Sequence, residues 1–247
     1  MKIEKKLWII LFAFGIFAIC FSGWIFRQST AREKLFWDNT IRCETKELKE
    51  GEIKSENIAL PEDFDVPKSI LFKTTHTIAE VWLDGEKIYE YGNEADAPGF
   101  MKTPGSCWHI VDIPGDSSGK NLEIRIIPVY EGYYGNEVSL VYGTRGDCIL
   151  KILTDSLGIP VISCGILFAS IICLLLYLGA VRRKRRDKTE AKIEIFLNLG
   201  FFSLLVAVWT LVQCGFLQFL IPDGRTLYFV EYFSLFLFPV PFNFLLY

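Results

Sequence analysis

Histidine and methionine are scarce in this sequence, with two of each in 247 residues. The short motifs of catalysis are absent. No GxxxxGK loop cradles a phosphate, no HExxH pair offers zinc ligands, and no GxSxG turn presents a nucleophile. His76 and His109 stand alone, without the paired cysteines or carboxylates a metal site needs. The stretch Asn93–Asp96 has oxygen ligands suited to calcium, but such a stretch is more often a solvated loop. Together these absences argue against an enzyme and against a bound cofactor. A dominant charge is missing too: 26 basic and 29 acidic residues leave a net charge of −3, which points away from a nucleic-acid partner.

Cysteine is present but gives no framework. Cys20, Cys164, Cys173 and Cys214 lie in apolar runs, which leaves Cys43, Cys107 and Cys148 elsewhere. An odd number is no disulfide scaffold. If one bridge forms, Cys43 with Cys148 is the best pair, since they lie near the two ends of the polar region; the other reading is free or buried thiols.

Apolar sequence is what the chain has in abundance, with 51% hydrophobic and 15% aromatic residues. It is concentrated in four runs: Leu7–Phe26, Leu157–Val181, Ile193–Ile221 and Leu227–Tyr247. Each reaches the roughly 20 residues that cross a bilayer. Residues 27–156 are polar, turn-rich and mixed in charge. The expected class is therefore a membrane protein with one soluble domain between its first and second spans. Lys2, Lys5 and Lys6 precede the first span, and the basic loop 182–192 (RRKRRDKTEAK) separates the second from the third. The short turn 222–226 between the last two spans has only Arg225, offset by Asp223. Basic residues collect on the cytoplasmic side. This places residues 1–6 and 182–192 inside the cell, and the domain and the 222–226 turn outside it. The basic loop can also touch anionic lipid. The first run is read as a retained anchor, because it is long for a signal peptide and its small-x-small site lies beyond it.

Within residues 27–156 the apolar period is close to two, the mark of half-buried strands. Leu122, Ile124 and Ile126 share one face; Ala79, Val81 and Leu83 share another, and Asp84-Gly85 follows as a hairpin turn. With a DGEK loop, Leu83 faces Ile88 and Trp82 faces Tyr89. Further strands are expected near Lys46, at Ser69–Thr75, Trp108–Ile113, Glu137–Tyr142 and Cys148–Ile152, and no helix beyond about two turns. The expected fold is an all-β sandwich of jelly-roll type joined to transmembrane α-helices.

The stretches ILFKTTHTIAEVWLDGEKIYEYG, WHIVDIP and GKNLEIRIIPV resemble the galactose-binding-type jelly roll, which includes carbohydrate-binding modules. From about Trp37 to Tyr247, the sandwich, VYGTRGDCILKIL and YFSLFLFPVPF resemble bacterial seven-transmembrane receptors with diverse intracellular signalling modules, chiefly clostridial-type sensors that end in a GGDEF diguanylate cyclase domain. The resemblance implies a sensor whose seven helices precede an output domain. The sequence contains no GGDEF-type signature. The uncharged final stretch Phe238–Tyr247 is accordingly read as stopping within the bundle, the alternative being a four-span protein ending at the inner face. The rival function is an anchored envelope protein that binds wall polysaccharide or a partner without signalling. A homodimer remains open.

Two sets of residues are candidates for function. Tyr130, Tyr133 and Tyr134 lie among glycines, and Phe100, Trp108 and His109 complete an aromatic rim if the long loop Gly92–Ser106 meets them at one end of the sandwich. Such a rim suits the apolar face of a sugar ring, or these aromatics cap the core instead. The second set is polar and lies in the spans: Asn198, Gln213, Glu231 and Asn243. Polar side chains in hydrocarbon turn towards partner helices. Counting rise along antiparallel spans pairs Gln213 with Glu231 and Asn198 with Asn243. Pro239 and Pro241 each remove a backbone donor and favour a kink.

Overall fold

The structure, a computed structural model, describes residues 40–42, 54–93, 97–130, 139–187 and 193–246. The first apolar run, the strand expected near Lys46, Cys43 and the acidic part of the 93–96 stretch fall outside them. The chain divides into two compact units. One contains the strands, and with them residues 218–228; the other contains most of the apolar helices.

In the first unit eight strands form two antiparallel four-stranded sheets. They are β1 (Thr40–Arg42), β2 (Lys54–Ala59), β3 (Lys68–Thr75), β4 (Thr77–Leu83), β5 (Glu86–Tyr91), β6 (Ser106–Ile113), β7 (Asn121–Pro128) and β8 (Ser139–Gly143). The sheet orders are β1-β8-β3-β6 and β2-β7-β4-β5. Alternation explains the burial. Every second residue of β4 and of β6 is buried, and so are Leu122, Ile124 and Ile126 of β7. Ile70, Phe72, Val111, Ile113, Leu140 and Tyr142 of one sheet meet Ala79, Val81, Leu83, Leu122, Ile124 and Ile126 of the other in a single core. Each large side chain buried there is worth about 1.5–3 kcal/mol. Phe64, on a 3-10 turn at Glu62–Asp65, closes one end and packs against Tyr142 with the ring centres 5.1 Å apart and the planes tilted by 44°.

The β4–β5 hairpin is tighter than a DGEK loop. Leu83 pairs with Glu86, so the loop is Asp84-Gly85 alone. Both residues have positive φ, +48° and +87°, as a primed two-residue turn requires. Trp82 therefore faces Lys87 and not Tyr89; a register shift between Val81 and Trp82 restores Val81 opposite Tyr89. On the outward face the Arg125 guanidinium lies 4.4 Å from the Trp82 ring centre.

The expected strand at Cys148–Ile152 is a helix: α1 runs from Arg145 to Ser156. Its start is a reciprocal cap. Thr144 N–H donates to Asp147 Oδ2 at 2.9 Å, and Asp147 N–H to Thr144 Oγ1 at 3.2 Å. Cys148 and Ile152, one turn apart, pack on Leu71, Trp108 and Ile110, on the side of the β3–β6 sheet away from the core. Cys148 is a buried free thiol whose Sγ lies 3.7 Å from Ser69 O, so it has no bridge to Cys43. Burial pushes this thiol up to about 11.

The second unit contains α2 (Gly158–Asp187), α3 (Glu194–Val212), most of α4 (Gly224–Leu237), and α5 (Pro239–Leu246). Among the described residues three stretches are long and apolar enough to cross a membrane: Gly158–Arg183, Glu194–Val212 and Gly224–Leu245. The third apolar run is not one helix to Ile221; α3 stops at Val212, and a 3-10 turn at Gly215–Phe219 follows. Helices α2 and α3 pack antiparallel through small and hydroxyl residues. Ser163 Oγ donates to Thr210 Oγ1 at 2.9 Å, and Ser170 Oγ to Gly200 O at 2.7 Å. A Cβ on Gly200 would meet Leu174 Cδ2 at 2.8 Å, so the helices touch where only glycine fits. The helix breaks at Phe238, just before Pro239. Phe238 and Phe242 pack on Phe202 of α3.

Candidate functional site

Among the described residues strand β6 is an edge strand, with β3 on one side of its backbone and no strand on the other. Residue Trp108 turns both its backbone groups to that side, and the side chain of Gln218 takes them. Trp108 N–H donates to Gln218 Oε1 at 2.8 Å, and Gln218 Nε2 donates to Trp108 O at 2.6 Å. A primary amide thus does the work of one peptide unit of a missing strand.

Next to this pair the chain comes very close to β6 again. Gly224 N–H donates to Tyr91 Oη at 3.0 Å, and the same oxygen lies 2.9 Å from Cys107 Sγ and 3.2 Å from Pro104 O. A Cβ on Gly224 would sit 2.2 Å from Cys107 Sγ and 2.7 Å from Pro104 O. On the other side, a Cβ on Gly105 would sit 2.3 Å from Gly224 O, and Gly105 has φ +85°. Two glycines are needed for the two backbones to touch. Asp223 caps the start of α4 by accepting from Arg225 N–H and Thr226 N–H, both at 3.2 Å. Arg225 Nη2 donates to Asn93 O at 2.6 Å. Burial, with Cys107 beside it, drives the Tyr91 hydroxyl far above the usual phenol range, and burial holds the Cys107 thiol above its own.

The loops at this end converge on His76, in the turn between β3 and β4. His76 Nδ1 is 2.9 Å from Thr103 Oγ1, which also accepts Gly105 N–H at 3.0 Å. Val129 N–H reaches His76 O at 3.4 Å, and the His76 ring meets Tyr130 at 6.2 Å and Tyr228 at 5.0 Å, both edge-on. Thr103 of the long loop and Tyr130 thus both lie at His76, together with Tyr228 of the 218–228 segment.

This rearranges the expected aromatic rim. Trp108 and His109 are neighbours on a strand, so their side chains point to opposite faces. Trp108 is half-buried against α1, with Lys73 Nζ 5.6 Å from its ring centre. His109 is not on a rim. It is buried in the core side with its Nε2 2.7 Å from Thr74 Oγ1 and its Nδ1 3.0 Å from Tyr89 Oη. Burial pushes the imidazole down to about 3 and the Tyr89 hydroxyl up to about 12. Phe100 is 80% exposed and Tyr130 42%; Tyr133 and Tyr134 lie outside the described residues. Of the polar residues in the spans, Gln213 Nε2 donates to Glu231 Oε1 at 3.2 Å. Asn198 is half-buried and Asn243 exposed, and among the described residues no hydrogen bond joins them.

The residues missed from sequence are Gln218, Gly224, Gly105 and Tyr91. Gln218 had a signal, as an amide between Leu217 and Phe219 in an otherwise apolar stretch. What the arrangement can do follows from its attachments. Strand β6 is held by α1 through Trp108, Ile110 and the Arg145–Asp112 ion pair, and by the 218–228 segment through Cys107 and Trp108. The first attachment leads along the chain into α2, and the second joins α3 to α4. No family model matches the chain, and no curated protein and no solved structure is significantly similar to it.

Proposed function

We propose that this chain is the input part of a membrane sensor, in which the two-sheet unit takes a ligand and β6 passes the change to the apolar helices. The carrying observation is the double attachment of one edge strand, to the helix that leads into α2 and to the segment that joins α3 with α4. A displacement of β6 reaches three helices by continuous chain. An anchored binding protein has no need of such a grip. The sheet orders β1-β8-β3-β6 and β2-β7-β4-β5 support a jelly roll, and the lysine and arginine asymmetry supports an external location for it. The ligand class is a saccharide or a partner protein, and the helices deliver the signal to a cytoplasmic output domain, a diguanylate cyclase by the resemblance of the sequence. Binding alone is not enough for signalling, because a ligand shifts an equilibrium only through a difference in affinity between two states.

The test uses the full chain in lipid nanodiscs. Saccharides and secreted proteins are screened by calorimetry, and each hit is added while disulfide formation in a Gln213→Cys, Glu231→Cys variant is followed. A sensor changes its crosslinking rate when the hit binds. A ligand that binds without any change at the helices refutes the sensor and leaves the envelope-binding reading.

A further inference from the structure

The 218–228 segment is held differently from the core it touches. Phe219 to Asp223 are all exposed, Leu220 to 68%. Only Gly224 and Leu227 are buried. What fastens the segment is mainly polar: two bonds from Gln218 to Trp108, one from Gly224 to Tyr91, and one from Arg225 to Asn93. Segments with few buried apolar contacts open at lower cost than the core around them. The seat is also exacting. Gly224 fits between Cys107, Tyr91 and Pro104 with no space for one more carbon, so a slightly displaced backbone loses its bond to Tyr91 without gaining another contact. Close packing of this kind favours two discrete positions over a continuum.

We infer that Gln218–Tyr228 is a releasable strap with a seated and a detached state, and that detachment opens the end of β6 and the Cys107 thiol while the two-sheet core stays folded. Seated, the strap ties α3 and α4 to β6; detached, it leaves β6 connected only to α1. This is the regulation of the coupling site, and its consequence for signalling rests on the sensor reading, although the strap itself does not. Thiol chemistry gives a direct reporter. Cys107 is shielded by Gly224 and Tyr91 when the strap is seated, and burial keeps it protonated. Opening supplies both access and thiolate.

The experiment uses the full chain in nanodiscs with Cys107 as the sole cysteine, the others replaced by alanine, and N-ethylmaleimide as the probe. A sister variant retains only Cys148, which is buried between α1 and the outer face of the β3–β6 sheet and reports on that packing. Gln218→Ala removes two hydrogen bonds of the seat, which should raise the open fraction, and so the labelling rate of Cys107, at least about tenfold. Cys148 should label at its original rate. An unchanged Cys107 rate overturns the strap, and so does a parallel rise at Cys148, which would mean that the opening is not confined to the strap but extends to α1 and the sheet face beneath it. A rise at Cys107 alone supports the strap. If that rise leaves the Gln213→Cys, Glu231→Cys crosslinking rate unaltered, the strap stands and the sensor reading falls.

Discussion

Acidification from pH 7 to pH 5 should destabilise the two-sheet unit through His109. The imidazole is 1% exposed, and its two hydrogen bonds, to the hydroxyls of Thr74 and Tyr89, bring no carboxylate to it. Burial lowers it from its ordinary 6.5 to about 3. In the folded unit it therefore stays neutral through this range, whereas in the unfolded chain it takes up a proton below about 6.5. The unfolded state binds more protons, so stability falls as pH falls, with the full loss reached below the folded value. Over the two units from pH 7 to pH 5, a folded state that remains unprotonated loses about 2 kcal/mol relative to an unfolded one that titrates at 6.5. The assay is hydrogen exchange of β3 and β6 peptides in the full chain, corrected for intrinsic rates. A His109→Gln variant is expected to be less stable at both pH values, because the glutamine cannot reproduce both bonds, but its stability should depend less steeply on pH by that same amount. Equal pH slopes for the two proteins would refute the reasoning, since every other titrating group is common to both.

Gly224→Ala should cost about 2–4 kcal/mol in seating the strap, combining overpacking against Cys107 and Pro104 with the lost Tyr91 bond; the Trp108 amide should then exchange faster while Leu122 and Ile124 keep their protection. Gly85→Ala should destabilise the β4–β5 hairpin by about 1 kcal/mol, because the turn holds Gly85 at φ +87°, seen as faster exchange in β5. A double-mutant cycle of Gln213→Ala and Glu231→Ala, read by unfolding in detergent, should give a coupling of about 0.6 kcal/mol; no coupling would mean that the bond at 3.2 Å does not hold the helices.

Most of the sheet core could be read from the chain, because burial on one face forces alternation and alternation survives in sequence. Val81 and Ile124 mark their strands without knowledge of a neighbour. Region 148–152 is a helix although CILKI sets Cys148, Leu150 and Ile152 two apart, as one face of a strand would be; five residues are too few to separate a strand from one helical turn. The deciding signs were the Cys148, Ile152, Ser156 spacing of four and the TRGD cap in front of it. The hairpin was placed correctly but its loop was not, because the Val81/Trp82 irregularity depends on the facing strand. The attachment of the 218–228 segment to β6 was largely illegible. Gln218 bonds Trp108 from 110 residues away, and nothing local distinguishes a glutamine that turns to a strand edge from one that turns to water. Likewise, Gly224 looks like an ordinary residue after an Asp cap; only the neighbouring backbone explains why no side chain is tolerated.

Synthesis runs from the N-terminus, so β6 leaves the ribosome long before Gln218 exists. Until then the outer edge at Trp108 has no partner from this segment, and bare strand edges are the surfaces on which chains aggregate. The sheet unit is thus completed by a residue that arrives only after α2 and α3 have been made. A chain that has not yet reached Gln218 carries an unfinished edge, and such an edge is what chaperones and proteases can act upon. One glutamine in this way leaves the edge of a domain built far earlier in the chain to be closed by a segment made only after α2 and α3.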